Sequence, residues 1–163
     1  MAHIWSLRRV IRFVVSACII VAVGTCAAAG IFFSRQHLLA AMEESLKKDL
    51  RLSYDLVDHR YPGPWSVRDG KLYKGDTLMN ENFAVVDEVA EDTGDAVTLF
   101  LGDTRVSTTV RDAKTGKRKV GTKAAPYVVD AVLKQGQNYI GEADVAGTKH
   151  LTAYMPIRDT AGN

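Results

Sequence analysis

A single arginine stands in the middle of a strand-like run, Gly102-Asp103-Thr104-Arg105-Val106-Ser107-Thr108-Thr109-Val110, with hydroxyl side chains close on either side. A guanidinium offers a planar fork of N–H donors that matches a carboxylate, and neighbouring hydroxyls can fix the orientation of what it holds. If Val106 and Val110 share one face of the strand, alternation puts Arg105, Ser107 and Thr109 on the other, and a bend would add Thr108. That is chemistry for holding a small polar molecule, an organic anion above all. An exposed sheet face uses the same residue types, so the strand alone leaves both readings open. Three more side chains join the candidate ligand-binding set. Tyr154 alternates with Thr152 in the last strand-like run, and Tyr139 opens the run before it. Each could line a pocket with its ring and offer its hydroxyl, or simply pack in the core. Lys123 precedes a helix start, where its ammonium would complete an anion site; a surface lysine is the alternative.

Groups that would do more than bind are scattered. The four histidines, His3, His37, His59 and His150, have no His partner three or four residues away, and both cysteines lie in an apolar stretch. A metal site needs such ligands in close spacing. No nucleophile elbow, phosphate-cradling glycine loop or HExxH motif occurs. The acidic cluster Asp87, Glu88, Glu91 and Asp92 reads as the solvated face of a short helix. Arg111, Lys114, Lys117, Arg118 and Lys119 read as a solvated basic loop. The expectation is a binding protein, not an enzyme, with no metal and no cofactor.

The elements that must position these residues follow from spacing. Leu38, Leu39, Met42, Leu46, Leu50, Tyr54 and Val57 recur every three or four residues in a stretch without Pro or Gly, which predicts one helix to about Asp58. Its apolar stripe can serve a partner, its own domain, or both along different stretches. Beyond Tyr61-Pro62-Gly63-Pro64 the pattern changes. Trp65–Arg68 and Lys71–Tyr73 flank Asp69-Gly70, a strong hairpin signal. Asn80 or Asn82 can cap a helix from Phe83 to about Glu91 that stops at Gly94. Ala96–Leu101 and Thr104–Val110 form a second hairpin, a helix spans about Ala125 to Gln135, and Asn138–Val145 with Lys149–Ile157 form a third. Hairpins alternating with helices imply an antiparallel sheet with helices packed to one side, an α+β layout.

From Phe13 to Phe33 run 21 residues with no charged side chain, enough as a helix to span about 30 Å, the thickness of a bilayer's hydrocarbon core. Arg8, Arg9 and Arg12 precede it, so the positive-inside rule keeps the N-terminus cytoplasmic. A cleaved leader would have a shorter apolar region; Cys26-Ala27-Ala28-Ala29-Gly30 offers a cleavage site, but the length favours a retained anchor. Val23-Gly24-Thr25-Cys26 loosely resembles a lipoprotein acylation site, with a poorly fitting threonine. The reading is a cytoplasmic basic terminus (1–12), a transmembrane helix (13–33), an extracytoplasmic helix (34–60) and a ligand-binding domain (61–163). After Phe33 stand 18 of the 21 basic residues and all 19 acidic ones, a nearly neutral domain with no electrostatic footprint for nucleic acid. It holds no cysteine and must fold on its core alone.

The segments YPGPWSVRDGKLYKGDTLMNENFAVVDEVAEDTGDAVTLFLGDTRVSTTV, VGTKA and YIGEADVAGTKHLTAYMPIRD, in that order, resemble a single Cache domain, the PAS-like extracytoplasmic sensor module of methyl-accepting chemotaxis proteins and some histidine kinases. The resemblance implies a central antiparallel sheet of five or six strands, a ligand pocket against it, and a homodimer joined along the membrane-proximal helix. It further implies a second membrane helix, a HAMP linker and a signalling domain in full-length relatives. The turn chemistry of Asp159–Asn163 reads as the point where the last sheet strand of a longer chain would begin. Carried over by position, Arg105 and Thr108 match where carboxylate-sensing relatives place an arginine and a polar partner; a histidine is frequent at the second position, and Thr108 departs from it. Lys123 and Tyr154 fall in the GTK and TAY stretches. The implied function is small-molecule sensing by a chemoreceptor at the inner membrane, its sensor domain outside. Alternatives are the input domain of a sensor kinase or cyclase, or a protein-binding ectodomain without a ligand.

Overall fold

A computed structural model describes residues 7–145, 147–160 and 162. The side chains of residues 7–11, 13, 17–20, 22 and 28 lie outside that description. The chain divides into two units, Met1–Met42 and Glu43–Asn163. Helix α1 (Leu7–Arg60) is continuous, and reaches two residues past its expected end. The expected membrane segment 13–33 falls partly on side chains outside the description. Among the described residues no helix is long and apolar enough to cross a membrane.

Among its described residues the second unit contains seven strands and two shorter helices. These are β1 (Trp65–Arg68), β2 (Lys71–Lys74), β3 (Thr77–Leu78), α2 (Phe83–Thr93), β4 (Thr98–Leu101), β5 (Thr104–Thr108), α3 (Pro126–Val129), β6 (Tyr139–Val145) and β7 (Thr148–Tyr154). All three expected hairpins form, with antiparallel registers that include Arg68↔Lys71, Leu101↔Thr104 and Val145↔Thr148. A third short strand, β3, extends the first hairpin through the turn at Gly75-Asp76. The helix expected over Ala125–Gln135 is α3 followed by a π-helical turn, Asp130–Lys134.

Two expectations need correction. The single five- or six-stranded sheet is instead three separately hydrogen-bonded groups, β1-β2-β3, β4-β5 and β6-β7. The reason lies at β5, whose second edge is occupied by the segment from Gly121 to Ala124. Gly121 N donates to Arg105 O (2.8 Å), Arg105 N to Thr122 O (2.9 Å) and Ala124 N to Asp103 O (2.9 Å). The chain leaving β3 also reaches β5 by a single backbone bond, Glu81 N donating to Val106 O (2.8 Å), without forming a ladder. Nor does either asparagine cap α2 with its side chain. Asn80 Oδ1 accepts from Leu72 N (2.7 Å), and Asn82, at the cap position, donates to Leu78 O (3.0 Å). Both instead tie the helix entry to the first hairpin. Gly94, in the left-handed conformation, closes α2 as the sequence predicts.

The core gathers Val85, Val86 and Val89 of α2 with Met79, Leu99 and Val106, all nearly inaccessible. Burial of each such side chain contributes about 1.5–3 kcal/mol. Val57 brings the end of α1 into this cluster, while Leu38, Leu39 and Met42 remain exposed. Within the second unit the stripe is buried at Val57 and half-buried at Leu46, Leu50 and Tyr54. Polar contacts fasten the same end. Arg60 pairs with Asp92 (2.6 Å) and Glu88 (3.7 Å), and Tyr61 Oη donates to Glu88 (3.4 Å). Lys74, buried, donates to Asp58 (2.6 Å) and to the Gly63 carbonyl, with the Trp65 ring 5.5 Å away. Here Gly63 and Gly75 bring two backbones into contact: a Cβ on Gly63 would lie 2.7 Å from Gly75 Cα, and one on Gly75 would collide with the Pro62 carbonyl.

The acidic cluster and the basic loop are not simply solvated. Arg118 makes a two-pronged pair with Asp87 (2.8 and 2.7 Å), donates to Thr108 O (2.7 Å) and lies over the Phe83 ring at 4.5 Å. The tip of that loop is closed by Asp112, whose carboxylate accepts from Lys114 N (3.0 Å) and Thr115 N (2.9 Å) and pairs with Lys119 (3.1 Å). The Thr115 amide, followed by Lys119 and the remaining donors, draws the Asp112 carboxyl down to about 2 from 3.8. A depressed carboxyl favours the closed loop above the unfolded value and loses that effect as pH falls through the folded one. The Thr115 amide resonance is therefore expected to hold steady down to about pH 4 and to move with a midpoint near 2. In Asp112→Asn this titration should vanish, and a midpoint near 4 in the parent chain would refute the closure.

Candidate functional site

Arg105 is in β5 opposite Phe100 of β4, and only 4% of it is exposed. The ladder register slips between Leu99 and Phe100, so that Leu99 faces Ser107 and Phe100 faces Arg105. Val106 is the extra residue of a β-bulge. Its effect on facing is local and decisive. Val106 joins the core beside α2, and Ser107 also turns that way, its Oγ donating to the Asn82 carbonyl (3.0 Å). Arg105 and Thr108, whose cross-strand partners are Phe100 and Thr98, share the opposite face. Thr108 Oγ1 is engaged with Thr98 Oγ1 (2.7 Å) and accepts from Val110 N (3.0 Å). Thr109, expected beside Arg105, bonds back to Val97 N (3.0 Å).

The guanidinium is unusually placed for a cation. Its Nη1 donates to the Thr122 hydroxyl, and its centre lies 5.2 Å from the Phe100 ring centroid. Nε is buried with no hydrogen-bond partner, and among the described residues no carboxylate pairs with Arg105. Burial pushes its pKa down, with the nearby Tyr154 hydroxyl acting the other way. An arginine nonetheless stays charged, so an uncompensated positive charge is held out of water. Among the described residues Trp65 Nε1 is the other buried donor without a partner, but it sits beside the Lys74 pairing.

The remaining candidates divide. Tyr139 and Tyr154 are cross-strand partners, with ring centroids 6.2 Å apart, and Tyr154 lies 6.0 Å from Phe100. Burial raises the Tyr154 hydroxyl's pKa, partly offset by the Arg105 charge. The structure thus places Tyr154 near Arg105 and Tyr139 behind it, and Tyr127 extends the row, 5.7 Å from Tyr139. Lys123 does not join it. Its ammonium is bound to Asp103 (2.6 Å) and Thr104 (2.7 Å), and it pairs with Thr104, one position along from Arg105 and therefore on the other side of the ladder. Ser107 likewise lies apart from it, its hydroxyl spent on the Asn82 carbonyl. The structure thus brings Arg105, Thr108, Thr122, Phe100, Tyr139 and Tyr154 together as the candidate group.

Thr122, Phe100 and Tyr127 are absent from the sequence-based set. Phe100 was within reach: counting outward from the turn at Gly102-Asp103 sets it opposite Arg105. Thr122 is the neighbour of Lys123 in the same GTK stretch, and only the pairing register decides which of the two faces the guanidinium. A shallow cleft of about 270 Å³ lies elsewhere, lined by Lys47, Leu50, Tyr54 and Met155 among others, and includes no buried donor lacking a partner.

The family model described as Single cache domain 3 matches residues 77–163, more than half of the chain and all of the site. No curated protein and no solved structure matches. Domains of this kind are extracytoplasmic sensor modules of receptors, and they bind small molecules. The matched region includes the bulged strand carrying Arg105, the segment that covers its edge and the tyrosine-bearing hairpin. The chain belongs to the single Cache domain family.

Proposed function

We propose that this chain is the sensing region of a membrane-anchored bacterial chemoreceptor, with the site at Arg105 taking a small organic anion from outside the membrane. One observation carries the reading: a guanidinium withdrawn from water in a sensor domain with an unpaired Nε and no carboxylate partner among the described residues. A carboxylate ligand supplies the missing charge and acceptor together, the arrangement in which a buried cation becomes favourable. The charge-free stretch from Phe13 to Phe33, preceded by Arg8, Arg9 and Arg12, supports anchoring in the inner membrane with the N-terminus cytoplasmic. Exposed Leu38, Leu39 and Met42 support pairing of two copies through the membrane-proximal helix. The chain has no catalytic role in this reading. Signalling requires that the ligand bind one arrangement of the receptor better than the other, since equal affinity shifts nothing.

The test is thermal unfolding of the full chain in detergent against carboxylates, amino acids and amines. A ligand at 100 times its dissociation constant adds about 2.7 kcal/mol, a shift of several degrees. Carboxylates are expected to raise the midpoint, and Arg105→Ala to abolish the rise while far-ultraviolet circular dichroism stays unchanged. A rise that survives in Arg105→Ala would overturn the site assignment. Ser107→Ala separates structure from binding: losing its bond to the Asn82 carbonyl should lower stability by about 1–3 kcal/mol. The ligand-induced shift should be unaltered, and its loss would return Ser107 to the site.

A further inference from the structure

Resting on the reading above, we infer that the ligand taken at Arg105 carries one carboxylate, attached to a planar and largely apolar group. The charge inventory around β5 supports the first half. Lys123 is neutralised by Asp103, Arg118 by Asp87 and Lys119 by Asp112. Among the described residues Arg105 is the one cation set against the aromatic row of Phe100, Tyr154, Tyr139 and Tyr127. One guanidinium balances one carboxylate. A second carboxylate on the same molecule would lie against the half-buried rings of Phe100, Tyr154 and Tyr139 without a counter-charge among the described residues, so nothing offsets the water it gives up there.

The aromatic row supports the second half. Tyr139 spends its hydroxyl on the Glu142 carbonyl (2.6 Å), and Tyr127 accepts from Asp144 N (3.3 Å). Both are thereby committed to the backbone of β6, and what they add to the row is ring surface. Phe100 has only ring surface to give. Rings with centroids 5.7 to 6.2 Å apart make an apolar wall that a flat ligand can extend by offset or edge-to-face contact. Tyr154, next to the guanidinium, is the member whose hydroxyl suits a polar substituent near the carboxylate.

Titration calorimetry on the full chain in detergent, with matched probes, tests this. Benzoate and phenylacetate are the ring monocarboxylates. Terephthalate adds a second carboxylate, benzyl alcohol removes the first, and acetate and succinate remove the ring. Benzoate or phenylacetate is expected to bind at least about tenfold more tightly than terephthalate, acetate or succinate, with no binding of benzyl alcohol. Tyr154→Phe should preserve ring-acid binding and Tyr154→Ala weaken it; if the alanine variant fails to fold, Phe100→Leu serves, weakening benzoate more than acetate. Tighter binding of succinate, lost in Arg105→Ala, would overturn the ligand class and leave the site standing. Failure of every carboxylate, or binding that survives in Arg105→Ala, would overturn both.

Discussion

A positive charge buried without an internal counter-charge dominates the organisation of this domain. Desolvating a guanidinium is costly, and the chain offsets the cost only in part, with one threonine hydroxyl and one phenylalanine face. Holding even those partners in place requires the surrounding geometry. The bulge at Val106 sends two consecutive side chains toward α2 and so frees the opposite face for Arg105 and Thr108. The segment bearing Thr122 must lie along β5, which it does through three backbone hydrogen bonds to Asp103 and Arg105.

Helix α2 links this housing to the rest of the unit. Its apolar face supplies three of the most deeply buried side chains, while its acidic face is shared between two clients. Asp87 holds Arg118, which in turn holds the Thr108 carbonyl beside the arginine; Glu88 and Asp92 hold Arg60 at the end of α1. A contiguous run of contacts therefore leads from β5 through the basic loop and one helix to the last turn of α1. Each of these ion pairs is partly exposed and individually worth little, so the linkage is compliant compared with the valine-rich packing beneath it.

Much of this was legible in the sequence because it is written in local chemistry. Asp69-Gly70, Gly102-Asp103 and the residues around Gly147 specify their hairpins, and Gly94 ends α2, because turns and caps are decided by a few neighbouring residues. Arg105 as a candidate for holding an anion was legible for the same reason, a lone cation among hydroxyls in a β-run; its burial was not. What could not be read was anything set by pairing between distant segments. The bulge depends on the register of β4 against β5, and it alone moves Ser107 to the core side and Thr109 out of the site. The choice between Thr122 and Lys123 depends on the register of a segment some seventeen residues further on. The expected fates of Arg118 and Asp87 failed likewise, since a charge run looks solvated until the fold brings an opposite charge to it.

The contact between Gly63 and Gly75 has a consequence for how this chain can vary. Pro62, Gly63 and Pro64 are exposed, and by exposure alone they would count among the positions free to drift. Yet two main chains touch there with no side chain between them, and the carbonyl of Gly63 is one of the oxygens that hold the buried Lys74. A single added methyl group at either glycine would part the strands and loosen the ammonium beneath. In divergent copies these two glycines should be inherited together, with the immobility of core residues, and the loop around Thr115 should absorb the changes that this corner refuses.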